Sequence, residues 1–268
     1  MYSQKFLITG HKNGLGRFLY EYFGGIGFDR NMPPDKFEHI RREGVDVIIH
    51  CAFNSAREIN SKNLYPYLSD NVFLTKRLAK IPHKKFIFIS SVDVYPKDNK
   101  KHSESEVIDV NQVSGIYAIT KLMSESIVQN ICPNFLILRC STLLGHDSRE
   151  NSLIKIIKEA SPALALSADS LFNYILHKDV LEFIQIAIKK DLQGIYNLSS
   201  SKNITLSQIS ELLGKKVNFG KYKYNVGNID NNKITSIFPT FKKTSREAVL
   251  EFLKLTTKER RSLAGGST

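Results

Sequence analysis

The strongest constraint on the fold is an alternation of short apolar runs with helical patterns along the first half of the chain. The apolar runs are Lys5–Thr9, Gly25–Asp29, Val45–Cys51, Lys85–Ser90 and Phe135–Arg139. The helical patterns between them are Gly14–Phe23, Pro34–Glu43, Leu64–Lys80 and Ser114–Asn130. A repeated strand–helix order is typical of a parallel sheet with helices on both faces. The sequence therefore predicts an α/β fold with a doubly wound parallel sheet.

The alternation loosens after about residue 140, which indicates a second and smaller unit. The predicted elements there are a helix at Leu153–Ala160, a strand at Phe172–Leu176, a helix at Lys178–Lys189, a strand at Ile195–Leu198, a helix from the N-cap Thr205 to Leu213, a loop at Gly220–Asn232 and a helix at Ser245–Leu255. We divide the chain into a first domain (1–145), a smaller C-terminal α/β lobe that partly returns to the sheet (146–260) and a disordered tail (261–268).

A glycine-rich turn, TGHKNGLG, joins the first predicted strand to the first helix. Gly10, Gly14 and Gly16 allow a tight turn, with Asn13 and Leu15 beside them. Backbone N–H groups at such a helix N-terminus can approach a pyrophosphate closely. The position of the turn predicts a Rossmann-type dinucleotide site. Its Gly-x-x-x-Gly-x-Gly spacing departs from the general Gly-x-Gly-x-x-Gly rule, so a plain glycine-rich turn is the alternative.

The end of the second predicted strand carries an acid and a base, Asp29 and Arg30. Asp29 follows the first glycine at nearly the interval of about 20 residues expected for an acid that binds the adenosine ribose. Arg30 could instead hold a 2′-phosphate or stack on adenine. The pair leaves NAD and NADP open, with a lean towards NAD because the acid is present.

Three further residues form a candidate catalytic set: Ser91 in FISSVDVY, and Tyr117 and Lys121 in YAITK. A tyrosine and a lysine four residues apart share one face of a helix. An ammonium beside a phenol lowers its pKa, so the phenol can exchange a proton with a carbinol or carbonyl oxygen. This chemistry accompanies hydride transfer to or from a nicotinamide.

Composition excludes several other classes of protein. The net charge of +12 comes from scattered lysines, so we expect no nucleic-acid partner. Apolar runs are too short to span a membrane, and no metal site is expected because Cys51, Cys132 and Cys140 lack ligand spacing. The absence of a signal-peptide pattern and the odd number of cysteines predict a reduced, cytoplasmic protein.

These motifs together resemble the extended short-chain dehydrogenase/reductases, the NAD-dependent epimerase/dehydratase family whose members act on sugar nucleotides. The resemblance covers nearly the whole chain and includes TGHKNGLG, HCAFNS, DNVFLT, SSVDVY, YAITK, FLILRCSTLLG, HKDV and GIYNLSSSKNITLSQI. It implies that Tyr117 is the acid/base, that Lys121 lowers its pKa and binds the nicotinamide ribose, and that Ser91 binds the substrate oxygen. Ser90 is the less favoured serine.

The resemblance also implies further cofactor contacts. Asn71 resembles a helix asparagine that packs under the cofactor, and Ala52 and Phe53 fall where the backbone lies along it. The implied cofactor is therefore NAD or NADP.

The implied reaction is oxidation, reduction or epimerisation of a nucleoside-diphosphate sugar. Val92 stands where dehydratases of the family carry an acid, which argues against dehydration. Two alternatives stay open: a reductase of a small non-sugar carbonyl compound, and a non-catalytic dinucleotide sensor. Substrate contacts are assigned to Ser91, Asn173, Tyr174 and Arg246.

Arg139 is a further candidate substrate contact, although it is equally a structural residue at a strand end. Family members often dimerise through the third helix and the tyrosine helix, so a homodimer is expected. Four apolar residues could serve that contact or the core instead: Val72, Leu78, Ile119 and Met123.

Overall fold

The computed structural model describes residues 4–56, 58–148 and 150–264. Its strands are β1 (Phe6–Thr9), β2 (Ile26–Phe28), β3 (Val45–His50), β4 (His83–Ser91), β5 (Lys101–His102), β6 (Phe135–Cys140), β7 (Thr142–Leu144), β8 (Leu171–Phe172), β9 (Tyr174–Leu176), β10 (Gly194–Leu198), β11 (Ile204–Thr205) and β12 (Asn228–Ile229). Its helices are α1 (Gly14–Phe23), α2 (Pro34–Glu43), α3 (Leu64–Leu68), α4 (Leu74–Ala79), α5 (Gly115–Ile131), α6 (Ser152–Lys158), α7 (His177–Lys189), α8 (Leu206–Leu213), α9 (Asn232–Ile237) and α10 (Ser245–Ala264).

The central sheet contains six strands in the order β10-β6-β4-β3-β1-β2, and every pair is parallel. The chain runs outward from β1 to β2 and then returns past β1 to β3. A crevice forms at such a reversal, outside the carboxyl ends of the strands. The predicted doubly wound parallel sheet is confirmed. One strand lies beyond β1, as in the flavodoxin-like doubly wound order, whereas the six-stranded dinucleotide-binding order has two there.

Both faces of the sheet are apolar and covered by helices, as expected for parallel strands. Alternate residues of β1 point to opposite sides: Ile8 packs with α1 and α7, whereas Leu7 packs with α2, α4 and α5. β10 comes from the C-terminal part of the chain and extends this sheet beside β6. Because helices cover both faces of the sheet, a binding site can form at its carboxyl edge.

The helix predicted at Leu64–Lys80 is divided by a π-helical turn at Ser69–Phe73. The carbonyl of Asn71 accepts hydrogen bonds from Thr75 Oγ1 at 3.0 Å and Ser124 Oγ at 2.8 Å. Because hydroxyl donors satisfy this carbonyl, the local helix need not keep its regular i→i−4 bonding. The irregular turn lies in the segment that contains Asn71, beside the sheet crevice.

The C-terminal lobe contains short strand pairs and the helices α6, α8 and α10 around its own apolar core. The predicted strand Phe172–Leu176 is interrupted at Asn173, so β8 pairs with β11 while β9 pairs with β7. The predicted loop Gly220–Asn232 contains β12, which pairs with β5. Strands of two or three residues are too short to show a hydrophobic period, which is why the sequence did not indicate them.

Two helix ends in the lobe illustrate what local sequence determines. The predicted N-cap Thr205 accepts from the Gln208 backbone N–H at 3.2 Å, and the helix ends at Leu213 as expected. The last helix, by contrast, runs past the predicted end at Leu255 to Ala264, through residues 261–264 that were assigned to the tail. Residues 265–268 of that predicted tail lie outside the described ranges.

The proposed dimer residues do not share one environment. Val72 and Leu78 are buried within the chain, so they are core residues rather than contact residues. Met123 is exposed, and so are Phe73 and Tyr65 on the neighbouring helical segment. Across the described ranges, every helix is too short or too polar to cross a lipid bilayer.

Candidate active site

A cavity of about 660 Å³ lies at the carboxyl ends of β1, β3, β4 and β6. Its volume is in the range of about 300–1,000 Å³ that small-molecule sites occupy. Ser91 and all the predicted cofactor residues but one line it: Gly10, Asn13, Gly14, Leu15, Gly16, Asp29, Arg30, Ala52, Phe53, Tyr117 and Lys121. Residues from distant parts of the sequence thus meet at the crevice where the strand order reverses.

The glycine turn is closely packed against the end of β3. Gly10 has a φ of +71°, and a Cβ there would lie 3.0 Å from the Ala52 nitrogen. A Cβ at Gly16 would lie 2.4 Å from the Gly10 carbonyl oxygen, so α1 can begin this close to β1 only with a glycine. The result is a cradle of bare backbone at a helix N-terminus, which suits an anionic pyrophosphate.

Buried hydrogen bonds hold the turn in place from below. Thr9 Oγ1 accepts from the backbone N–H groups of Cys51 at 3.1 Å and Ala52 at 3.0 Å, and lies 2.7 Å from His50 Nδ1. His50 Nε2 lies 3.0 Å from Thr75 Oγ1. Burial lowers the pKa of His50 to about 3, and the nearby Lys121 charge adds to this, so the ring is neutral. His50 is therefore a structural residue of the site.

Asp29 and Arg30 lie at the end of β2 with their charges already paired. Lys12 forms an ion pair with Asp29, whose other oxygen accepts from the Asn31 N–H at 2.7 Å. These hydrogen bonds, led by that of Lys12, lower the pKa of Asp29. The Arg30 guanidinium lies 2.6 Å from Asp70 Oδ2. The end of the cavity near β2 therefore presents the Asp29 carboxylate with a lysine beside it, and Arg30 pairs with a second carboxylate, that of Asp70.

Asn71 does not line the cavity but holds in place the irregular segment after β3, which does. It is buried, and its side chain exchanges two hydrogen bonds with the Asn54 backbone, at 2.7 and 3.1 Å. Since Asn54 follows Ala52 and Phe53, this asparagine fixes the backbone along which the cofactor is expected to lie.

Ser91, Tyr117 and Lys121 reach the cavity from two elements, β4 and α5. Lys121 is only 4% exposed, and its Nζ donates to the Ile89 carbonyl at 2.7 Å. Tyr117 is 38% exposed. The Phe53 ring contacts both, with its centroid 4.4 Å from Lys121 Nζ and 4.9 Å from the Tyr117 ring. The ammonium thus lies in the cavity floor and the phenol at its rim.

A buried polar network supports the serine strand and the tyrosine helix. Glu125 of α5 accepts from Ser90 Oγ at 2.5 Å and from Arg139 Nη2 at 2.7 Å. Arg139 Nη1 donates to the Tyr95 hydroxyl at 2.7 Å. A buried ion pair of this kind, with its hydrogen bonds satisfied, fixes the geometry of the elements it joins. Arg139 is therefore structural, and it is not a substrate contact.

Three further predicted substrate contacts lie away from the cavity. The Asn173 side chain donates to the Ser200 carbonyl at 2.9 Å and accepts from its N–H at 2.8 Å. Tyr174 is fully buried in the core of the lobe, and Arg246 is exposed on α10 without lining the cavity. The structure therefore does not bring these three predicted contacts to the cavity, because polar residues beside a strand can serve the core of a lobe as readily as a ligand.

The family model described as "NAD dependent epimerase/dehydratase family" matches residues 7–199 of this sequence. The match covers more than half of the chain, and it includes the glycine turn, Ser91, Tyr117 and Lys121. This chain belongs to the NAD-dependent epimerase/dehydratase family. A search of curated proteins gives no match.

Solved structures of the same fold include sugar-nucleotide enzymes. A dTDP-4-dehydrorhamnose reductase from Bacillus anthracis, in complex with NADP, has a TM-score of 0.77 and 18% identity, with 94% of this chain and 99% of that chain covered. The corresponding enzyme from Yersinia enterocolitica has 0.74 and 23%, covering 93% and 99%. A UDP-glucuronic acid 4-epimerase from Bacillus cereus, in complex with UDP-glucuronic acid and NAD, has 0.73 and 19%, covering 94% and 99%.

Three further residues line the cavity, although the sequence analysis did not assign them to the site. Asp93, two residues after Ser91, and Tyr224, from the C-terminal lobe, both line the cavity. His177 also lines it, and burial lowers the pKa of His177 to about 4. Asp93 could have been suspected from its distance to Ser91, whereas no sequence signal marks Tyr224. In the described part of the chain, no three His, Cys, Asp or Glu side chains form a metal site.

Proposed function

We propose that this protein is an NAD(P)-dependent oxidoreductase or epimerase of a nucleoside-diphosphate sugar. The proposal depends above all on one observation, the convergence of Ser91, Tyr117 and Lys121 on the cavity that the glycine turn also lines. A catalytic set and a dinucleotide cradle in one continuous crevice support an enzyme better than they support a sensor that only binds the dinucleotide. Membership of the family and the names of the similar enzymes support the sugar-nucleotide substrate.

The cofactor is a nicotinamide dinucleotide, which the backbone cradle at Gly10 and Gly16 fits. When bound, it supplies or accepts a hydride at the carbon that bears the reacting oxygen. Its pyrophosphate would contact the turn at Gly14, and its adenosine ribose would face Asp29. We favour NAD because the Asp29 carboxylate is a good acceptor for a ribose hydroxyl but repels a 2′-phosphate.

Tyr117 moves the proton. As a phenolate it takes the hydroxyl proton of the substrate carbinol, and in the reverse direction its phenol protonates the carbonyl oxygen. The Lys121 ammonium stabilises the phenolate, because a cation in a poorly solvated site acts strongly on a nearby anion. Ser91 Oγ orients the same substrate oxygen.

The experiment that tests the function begins with the ligand carried by the purified protein. Denatured protein is analysed for dinucleotides by mass spectrometry, and native protein is incubated with UDP-glucose, UDP-glucuronic acid or dTDP-glucose and each cofactor, with products followed by NMR. Retained NAD and a changed stereocentre indicate an epimerase, whereas exchangeable cofactor and net oxidation or reduction indicate a reductase. If the protein binds neither NAD(H) nor NADP(H) in calorimetric titrations, the proposal is rejected.

We also propose a homodimer formed through α5 and the α3–α4 segment. The exposed apolar side chains of Tyr65, Phe73 and Met123 lie on these elements, and burying such residues is favourable. Light scattering at several concentrations tests this, and a monomer throughout would reject it. A cytoplasmic location stays a prediction from the sequence.

A further inference from the structure

Asp93 occupies a place in the cavity that the proposed function leaves unexplained. It lies two residues after Ser91, in the short 3₁₀ turn Val92–Val94 at the end of β4. Its side chain is 30% exposed and lines the cavity. Each oxygen of this carboxylate has a different set of neighbours, and the difference indicates a role.

The Oδ1 atom of Asp93 is held by two donors. Lys97 Nζ lies 2.7 Å from it, and the Tyr224 hydroxyl donates to it at 2.9 Å. Burial, together with the Asp93 carboxylate, raises the pKa of Tyr224 well above its ordinary value. The Tyr224 phenol therefore keeps its proton and acts as a donor, which distinguishes it from the proton-transferring phenol proposed for Tyr117.

These two donors are themselves fixed by the C-terminal lobe. The Tyr224 backbone N–H donates to Ser170 Oγ at 3.1 Å, and its ring packs 4.8 Å from that of Phe172. Lys97 Nζ also donates to the Val226 carbonyl at 3.4 Å. The lobe therefore sets the orientation of a carboxylate that belongs to the first domain.

The Oδ2 atom of Asp93 is held less tightly than Oδ1. Among the residues that the structure describes, its one hydrogen-bond donor is Ser91 Oγ at 3.4 Å, near the outer limit for such a bond. Ser91 Oγ in turn accepts from the Asp93 backbone N–H at 3.1 Å. Two oxygen atoms that both belong to cavity-lining residues thus lie side by side, and the Asp93 oxygen can accept a closer donor.

We infer that Asp93 Oδ2 accepts a hydrogen bond from a substrate hydroxyl on the carbon next to the reacting carbon. The inference rests on the proposed function, in which Ser91 orients the oxygen on the reacting carbon. Ser91 Oγ and Asp93 Oδ2 lie only 3.4 Å apart, so hydroxyl groups on adjacent ring carbons can contact one of these atoms each. The substrate class is therefore a vicinal diol, or its α-hydroxy ketone in the reverse direction, and Tyr224 and Lys97 are positioning residues.

This arrangement also provides selectivity. A carboxylate oxygen accepts hydrogen bonds and donates none, so it favours a hydroxyl over an ether oxygen, a hydrogen atom or an acidic group at that position. A site built to bind a substrate hydroxyl rejects the analogue that lacks it, because the site's own polar group is left without its partner.

The test compares UDP-glucose with its 3-deoxy analogue, since the similar enzymes are named for reactions at position 4. Affinities are measured by calorimetry with saturating NADH for the wild-type protein, Asp93→Ala and Tyr224→Phe. Asp169→Ala is the matched control, because Asp169 also pairs with a lysine, Lys223, but lies outside the cavity. Affinity for NADH itself is measured for every variant.

We expect the wild-type protein and Asp169→Ala to prefer UDP-glucose by about tenfold or more, and Asp93→Ala to lose that preference with NADH affinity unchanged. Tyr224→Phe keeps the acceptor but loosens it, so its preference should fall by a smaller factor. If Asp93→Ala does not fold, the result for Tyr224→Phe decides the question. A wild-type preference retained in both variants, or no preference in the wild-type protein, overturns the inference alone. Failure of the wild-type protein to bind UDP-glucose, UDP-glucuronic acid and dTDP-glucose with NADH bound overturns the sugar-nucleotide proposal as well.

Discussion

The two halves of the cavity are built in different ways. The cofactor half uses backbone: a glycine turn, the end of β3 and the floor beneath them, all drawn from the first 54 residues and the helix that carries Asn71. The substrate half uses side chains from widely separated segments, including Asp93 and Tyr224, which are joined by one hydrogen bond. A backbone site tolerates little change in geometry, whereas a side-chain site can be altered residue by residue. We therefore expect the first half to set the cofactor class and the second to set the substrate.

Tyr117 lies where the two halves meet, so its substitution should have the largest effect. Tyr117→Phe removes the proton-transferring group and should lower turnover by about 10²- to 10⁴-fold. Because no backbone in the cradle changes, NADH affinity should stay near that of the wild-type protein. Turnover is followed by NMR with the nucleotide sugar that the proposed substrate screen identifies, and NADH binding is followed by fluorescence.

Tyr222→Phe is the control for this experiment, since Tyr222 is 75% exposed and lies outside the cavity. Near-normal turnover by Tyr117→Phe would contradict the acid/base assignment. A parallel loss of NADH affinity would instead show that the two halves cannot be separated at this residue.

Gly16 tests whether the cofactor half depends on bare backbone. A Cβ at this position would lie 2.4 Å from the Gly10 carbonyl, so Gly16→Ala must displace the turn. We expect NADH affinity to fall by at least about tenfold, as the loss of one or more hydrogen bonds to a charged phosphate would cause. Calorimetric titration of NADH measures the change.

Gly24→Ala, at the other end of α1, provides the matched control. No atom lies within 4 Å of a Cβ there, although its φ of +67° makes the substitution strained. It should lower thermal stability without changing NADH affinity. Unchanged affinity in Gly16→Ala would mean that the cofactor does not use this turn.

The same contrast explains which features could be predicted from the sequence. Helices α1 and α2 have the predicted bounds, because glycines and a proline mark their ends locally. The glycine turn and YAITK were found because their chemistry depends on residues close together in sequence. Tyr224 was missed because it reaches the cavity through the pairing of a short, irregular segment with the rest of the lobe.

Buried polar residues show the limit of sequence analysis from the other side. Asn173 and Tyr174 were assigned to the substrate, yet one binds the Ser200 backbone and the other packs in the core of the lobe. Arg139 was ambiguous and proves to be paired with Glu125 on α5, well separated in sequence. A sequence gives the residue types but not the tertiary partner that decides whether a polar group serves a ligand or the fold.

The adenosine end sharpens the comparison, because there the cofactor half does rely on side chains. Asp29 pairs with Lys12, and Arg30 pairs with Asp70. We expect the wild-type protein to prefer NADH over NADPH. The double variant Asp29→Asn, Asp70→Asn removes both carboxylates, so Lys12 and Arg30 can meet a 2′-phosphate, and the preference should shift towards NADPH by about tenfold.

Competition titrations with the two cofactors measure this ratio. Asp109→Asn, an exposed acid outside the cavity, is the control and should leave the ratio unchanged. A wild-type preference for NADPH would show that Lys12 and Arg30, rather than Asp29, determine the cofactor.

Acid offers the mildest test, since each half contains one buried neutral histidine. The pKa of His50 under the cofactor half is lowered to about 3, and that of His177 beside the substrate half to about 4, in both cases chiefly by burial. Both rings gain a proton more readily in the unfolded chain, near pH 6.5, so the unfolded state binds more protons below that pH. The contribution of these histidines to the free energy of unfolding is therefore fully present above about pH 6.5. It declines as the pH falls towards 4, by about 1.4 kcal/mol per pH unit for each histidine once the unfolded chain is protonated.

Urea unfolding at pH 7, 6 and 5 measures how fast the free energy of unfolding falls with pH. We expect His177→Gln to reduce this slope by the contribution of one histidine, whereas His39→Gln, at an exposed position, should leave it unchanged. An unaltered slope in His177→Gln would mean that this ring takes up its proton in the folded protein, and that the floor of the substrate half is open to water.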